Sequence, residues 1–292
     1  MITKKALDTE IENLIGLSNL VNAFEEIAAV RVKRTRDSVL INRAFSSEIH
    51  EIFVEVITSY KKQVESFMKR KRKKNLKNLS FLNRNGKTLY LLLLANTGLY
   101  GGIINKTFDL FLKSKMDKNY DIAIIGKLGL SMWKKQKISG KYYYFDFPDQ
   151  RVDDNKLKEI INFIINYEKI IIFYGQFRNM INQEPTYSDI TGNTMTENQI
   201  QKGGQVKYFF EPSIEIIMEF FEKQIFASIF EQVMRESQLA KIASRLTALD
   251  KATENIDKEL ALLKFQNTRL SHQIQNKKQL ETFSTRLLWN KS

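Results

Sequence analysis

IASRLTALDKATENIDKELALLKFQNTRLSHQI, residues 242–274, decides the fold. Its seam positions Ile242, Leu246, Leu249, Thr253, Ile256, Leu260, Leu263, Asn267, Leu270 and Ile274 alternate steps of four and three without a break. A period near 3.5 residues keeps one narrow stripe facing a partner helix and implies a left-handed supercoil. Thr253 and Asn267 place polar side chains in that seam, a device that fixes register or pairing at a cost in stability. Upstream, Ile214, Met218, Phe221, Ile225 and Ile229 continue the apolar face. Phe283, Leu287, Leu288 and Trp289 make the far end apolar again.

The partner helix lies at the other end of the chain. Leu7, Ile11, Leu14, Leu17, Val21, Phe24, Ala28 and Val32 repeat in threes and fours, and Val39, Asn42, Phe45, Ile49, Phe53, Val56 and Tyr60 carry the pattern on. Neither residues 17–85 nor residues 213–292 contain Gly or Pro, the strongest local punctuation in a sequence. All three prolines and all glycines but Gly16 fall between Gly86 and Pro212. The expected fold class is therefore α plus α/β. Residues 1–80 and 212–292 form a long antiparallel coiled coil, and residues 81–211 form an inserted Rossmann-like α/β domain. Periodicity alone fits any antiparallel coiled-coil scaffold equally well.

In the middle segment, Leu89 to Ala95 is a continuous apolar run that suits a buried strand. Further strands are expected at 121–126, 142–147, 170–174 and 206–210, and helices at 103–115 and 157–167, which together imply a small sheet with right-handed crossovers. Gly98-Leu99-Tyr100-Gly101-Gly102 lies between a strand and a helix, where a phosphate loop would lie, but lacks the Lys-Ser/Thr ending. Gly86-Lys87-Thr88 has that ending, yet Phe81 stands where the first glycine belongs and a strand follows. No cofactor is expected. Asp149, Asp153 and Asp154 read as a turn and a helix cap.

Composition narrows the classes. An apolar share of 43 % is enough for a real core. With no Cys there is neither a disulfide framework nor a Cys-based metal site, and His50 and His272 alone supply little for metal or triad chemistry. No apolar run reaches the 18 residues of a membrane span, and the first residues do not read as a signal peptide, so a cytoplasmic protein is expected. A net charge of +13 calls for an acidic partner. Two basic features stand out. The run Lys69–Lys74 suits a solvated helix end or an anionic surface, and Arg31, Lys33, Arg34 and Arg36 wrap around the first helix.

The plan resembles the gamma subunit of F1-type ATP synthases across nearly the whole chain. Ala23, Ala28-Ala29, Arg31 and Lys33-Arg34 look like that family's Lys-Ala-Met-x-x-Val-Ala-Ala-x-Lys-x-Arg-Arg segment. Gly98-Leu99 and Gly101-Gly102, with Asn105 beyond, look like its Asp-Arg-Gly-Leu-Cys-Gly-Gly turn. Gly126-Lys127 after the second strand, Tyr174 and Phe177, Glu211-Pro212-Ser213, Glu236-Ser237 and the segment Arg245 to Asn255 follow in the family's order. There are departures. Asn22-Ala23-Phe24-Glu25-Glu26 reverses the charge of the family's Lys-Ala-Met-Lys-Met. Asn96-Thr97 replaces Asp-Arg, Tyr100 replaces Cys, and the ending Thr285 to Trp289 is bulky where the family's is small. The family's Asn-x-x-Arg-Gln segment aligns near Asn267 and Arg269 only with a gap.

The resemblance implies a rotor shaft without bond chemistry of its own, held in a ring of alpha-like and beta-like ATPase subunits. It implies a foot domain that binds an epsilon-like subunit or another output element, and contact with the membrane only through partner subunits. Arg31, Lys33 and Arg34 are the candidates for contact with acidic loops of the beta-like subunits, with Arg245 on the opposite helix as a second. Phe283, Leu287, Leu288 and Trp289 are the candidate bearing tip. The departures favour a specialised F1-like motor, such as one that drives gliding, over a housekeeping synthase. The alternative from another class is a basic coiled-coil scaffold that binds nucleic acid; no convergent catalytic residues support an enzyme.

Overall fold

The computed structural model describes residues 3–59, 84–117, 119–136, 141–149, 151–190 and 214–289. Chain order is α1 (Lys4–Ser59), β1 (Thr88–Leu93), α2 (Ile103–Lys113), β2 (Tyr120–Ile125), α3 (Lys127–Lys135), β3 (Tyr142–Phe145), α4 (Asp154–Ile164), β4 (Lys169–Phe177), β5 (Gln183–Asp189) and α5 (Ile214–Trp289). The two breaker-free ends are thus single helices of 56 and 76 residues. The basic run Lys69–Lys74 and the strand expected at 206–210 lie outside the described residues. The chain divides into two compact units, one of residues 1–30 with 246–292 and one of residues 31–245.

The first unit is a pair of helices. Val21 on α1 and Leu249, Ile256 and Leu260 on α5 are buried together, with Ile11, Leu14 and Ala252 packed against them. The 4-3 spacing read from the sequence is therefore the working seam. Its polar position Asn267 donates from Nδ2 to Asp8 Oδ1 at 2.8 Å, which ties the end of one helix to the start of the other and sets them antiparallel.

The second unit holds a five-stranded sheet in the order β3-β2-β1-β4-β5, parallel except for β5. Parallel strands are covered on both faces, which is why β1 reads TLYLLL and is buried throughout. On one face Tyr90, Leu92, Ile124 and Phe173 meet Ile103, Phe108 and Phe111 of α2 and Trp133 of α3. On the other, Leu91, Ala123, Ile172 and Tyr174 meet Leu157, Ile160 and Ile164 of α4 and Phe226, Phe230, Val233 and Met234 of α5. The C-terminal helix therefore does more than pair with α1. Over residues 226–234 it is also a covering helix of the sheet.

Two elements were not anticipated. β5 has a polar sequence, QEPTYSD, and among the described residues pairs only with β4; as an edge strand it tolerates Pro185 and needs no apolar alternation. α3 is short and carries Gly129, where a Cβ would lie 3.0 Å from the Ile124 side chain, so glycine lets this helix approach the sheet. Gly126 ahead of it has a φ of +102°, and a Cβ there would lie 2.7 Å from the Ala95 carbonyl oxygen. The Gly126-Lys127 motif is thus a backbone requirement of the close packing between the β1 and β2 ends.

Tyr174 is buried against the α4 side of the sheet. Burial, with the Glu236 carboxylate nearby, pushes its phenol up to about 12. An unfolded tyrosine ionises near 10. Between these values the unfolded chain loses a proton that the folded chain keeps, so this group's contribution is intact below pH 10 and is lost as pH rises through about 12. Urea unfolding midpoints measured across pH 9–12 should fall more steeply for the parent than for Tyr174→Phe.

Candidate partner interface

Three surfaces answer to the residues singled out in the sequence. The first lies at the carboxyl end of β1. Asp149 is 8 % exposed, and its carboxylate accepts from the backbone N–H of Asn96 (3.0 Å) and Thr97 (2.8 Å) and from the Thr97 hydroxyl (2.9 Å). Lys241 of α5 donates from Nζ to the Leu94 carbonyl at 3.1 Å and lies 3.8 Å from Asp149. Burial lowers the pKa of the Lys241 ammonium, and the Asp149 carboxylate opposes that shift. One turn further along α5, Arg245 donates to the carbonyls of Leu99 (3.0 Å) and Gly98 (2.9 Å), and its guanidinium stacks 4.2 Å above the Tyr100 ring. The Gly98–Gly102 turn therefore stands where a phosphate loop would, but the protein's own carboxylate occupies the N–H groups of Asn96 and Thr97 just ahead of it, and Arg245 of α5 the carbonyls of Gly98 and Leu99. Here α5 is fastened to the α/β sheet through polar contacts.

The second surface is basic. Arg31 and Arg34 of α1 line a groove of about 460 Å³ together with Arg151, Val152, Arg235 and Gln238. Lys33, between the two arginines in sequence, is exposed and does not line it. Helical geometry turns Lys33 away from the groove, as expected of basic residues that wrap around α1. Arg235 is held by Glu231, while Arg43 and Glu236 pair across the two long helices. Sequence reasoning missed Arg151, Arg235, Asp149 and Lys241. Asp149 pairs with Lys241 92 positions away, and Arg151 and Arg235 come to one groove from separate elements, which no spacing rule reports.

The third surface is apolar and belongs to the helix pair. Leu17, Leu20, Phe24 and Ile27 on α1 are exposed, as are Leu262, Phe265, Leu280 and Phe283 on α5. Leu17 and Phe24 were expected in the seam, but only one stripe of α1 can face α5, and Val21 and Ala28 occupy it. Phe283 is 63 % exposed; the side chains of Leu287, Leu288 and Trp289 lie outside the described residues. The charge-reversed segment Asn22–Glu26 is largely exposed on the same helix. Among the described residues no helix is long and apolar enough to cross a membrane, and no cluster of ligating side chains could hold a metal ion.

The family model described as ATP synthase matches residues 3–272. The ATP synthase gamma chain of Mycoplasma mycoides is 26 % identical over 267 residues, covering 88 % of this chain and 90 % of that one. The ATP synthase gamma chain of Mesoplasma florum is 28 % identical over 255 residues, covering 85 % of each. Among solved structures, the central stalk and c-ring assembly of Tetrahymena thermophila mitochondrial ATP synthase has a chain similar in fold. Its TM-score is 0.53 at 18 % identity, with 80 % of this chain and 99 % of that one covered.

Proposed function

We propose, from the premise that this chain belongs to the ATP synthase family, on the side of its gamma chains, that it is the central rotor shaft of an F1-like rotary ATPase. The observation that carries this reading is the exposed apolar stripe on a helix pair that already has a complete seam. Large apolar patches left in water mark surfaces that a partner covers. A shaft enclosed by a ring of alpha-like and beta-like subunits accounts for apolar side chains on both helices. Coupling requires that each shaft orientation bind the ring's conformers with different affinity.

Within this reading Arg31, Lys33 and Arg34 meet acidic loops of the beta-like subunits. Arg245 joins them alongside the turn it holds. Phe283, Leu287, Leu288 and Trp289 form the tip in the bearing. Residues 1–80 and 212–292 act as the shaft and residues 81–211 as the foot, which takes an epsilon-like subunit or another output element. The chain works in the cytoplasm, at the inner face of the membrane, reached through partner subunits. Co-expression with the alpha-like and beta-like subunits tests the reading. The tagged chain should recover both in fixed ratio, and Leu20→Gln should lower that recovery while leaving the isolated chain's stability within about 0.5 kcal/mol. Recovery of the chain as a stable oligomer of itself, without ATPase subunits, would contradict it.

The output is read as that of a specialised, hydrolysis-driven motor, gliding among the possibilities, and the exposed Asn22–Glu26 segment supports this. Its charge is reversed at a surface that a ring partner would have to match. Gene neighbourhood distinguishes the two outputs. Adjacent alpha-like and beta-like genes without a-type and c-type membrane genes agree with the specialised motor, and a full synthase operon with the housekeeping one.

A further inference from the structure

We propose that the arginine-lined groove of the second unit binds a small phosphate-bearing anion of the di- or triphosphate class. Three separate elements deliver its cations: Arg31 and Arg34 from α1, Arg151 from the loop ahead of α4, and Arg235 from α5. Only Arg235 has a carboxylate partner among the described residues, Glu231. Among the described residues no carboxylate lines the groove. Guanidiniums gathered in one concavity repel one another, and an anion among them converts that repulsion into attraction.

A second, independent observation points the same way. Gln238 on the groove wall is 6 % exposed, and its Nε2 has no acceptor. Buried N–H donors are nearly always paired; this one is closed to solvent, and a turn of the Gln238 side chain toward the groove brings it to an oxyanion acceptor. The bland reading, a solvated basic face, suits Lys33 and Arg36, which are exposed and outside the groove. It does not explain a buried, unpartnered amide on the wall of a groove lined by four arginines.

Size and charge density select the class. A volume of about 460 Å³ lies within the roughly 300–1,000 Å³ of small-molecule sites. Guanidinium forks match phosphate oxygens two at a time. A short phosphate chain concentrates several charges in such a space. An acidic peptide segment spreads its carboxylates at about 3.3 Å per residue on alternate sides. Such an anion competes with the acidic loops of the proposed ring for Arg31 and Arg34, and Arg151, Arg235 and Gln238, which the ring reading does not use, distinguish the two.

Titration calorimetry on the full chain at constant ionic strength tests it, with tripolyphosphate, orthophosphate, ATP and a glutamate-rich peptide as probes. Tripolyphosphate should bind at one saturable site, more tightly than orthophosphate. Arg151→Ala, an exposed loop position, should weaken it about tenfold. Gln238→Met should weaken it too, and Lys33→Ala should leave it unchanged. Equal binding of ATP and tripolyphosphate would assign recognition to the phosphate chain alone, and tighter binding of ATP to a nucleotide; either result supports the site. Absence of a saturable heat, binding unaltered by Arg151→Ala, or tighter binding of the acidic peptide at the same arginines would overturn it.

Discussion

Asp149→Ala should destabilise the α/β unit by about 3–5 kcal/mol, the cost of leaving a buried charge without its partner. Lys241 is 7 % exposed in its side chain and has Asp149 as its carboxylate, at 3.8 Å. The same substitution strips the acceptor from the Asn96 and Thr97 N–H groups and from the Thr97 hydroxyl. Lys241→Met should cost less, since Asp149 keeps those three donors. The double variant should fall between the two single variants, because it removes the stranded ammonium but not the stranded turn. Urea unfolding of the four proteins gives the cycle directly. An additive cycle would mean that the two charges do not act as one unit.

Phe230→Ala should cost a similar amount, about 3–5 kcal/mol, by opening a cavity between α5 and the sheet. Phe230 is fully buried in the core that joins α4, α5 and the sheet. Phe220, also on α5, is 61 % exposed, and its replacement by Ala should stay within about 0.5 kcal/mol. The contrast separates the sheet-covering role of α5 from its helical propensity, which both substitutions change alike. A Phe230→Ala protein as stable as the parent would show that the sheet does not need this helix.

These two sites mark where the sequence was legible and where it was not. The 4-3 seam from Leu249 to Leu263 and the punctuation of the middle segment were readable because each is local. A heptad repeats every few residues, and a parallel strand such as 88–93 is apolar without interruption. The stripe Phe226, Phe230, Val233 and Met234 escaped because a coiled-coil template looks for one narrow seam. A helix that covers a sheet as well as a partner helix is apolar over a wider arc. β5 escaped because an edge strand has no alternation to find. Asp149 was read as part of a turn and cap cluster. Asp153 does cap α4, accepting from the N–H groups of Asn155 and Lys156. Asp149, four residues earlier, instead balances a lysine 92 positions away, and only the folded chain shows that.

The polar fastening also explains why the Gly98–Gly102 turn resembles a nucleotide loop in sequence. Glycine supplies a left-handed backbone turn in either case, here at Gly101 with a φ of +59°. The carbonyls of the turn are held by Arg245, and the negative charge beside it is Asp149, bound to Asn96 and Thr97. Fastening α5 to the sheet in this way serves a shaft. In the proposed shaft, torque on the helix would reach the inserted domain through a buried core, a buried ion pair and a clamped turn.

The most direct test of the shaft is observation of single complexes. With the alpha-like and beta-like subunits fixed to a surface and a probe attached to the α/β domain of this chain, addition of ATP should drive stepwise rotation in one direction. A complex that hydrolyses ATP while the probe stays still would contradict the account.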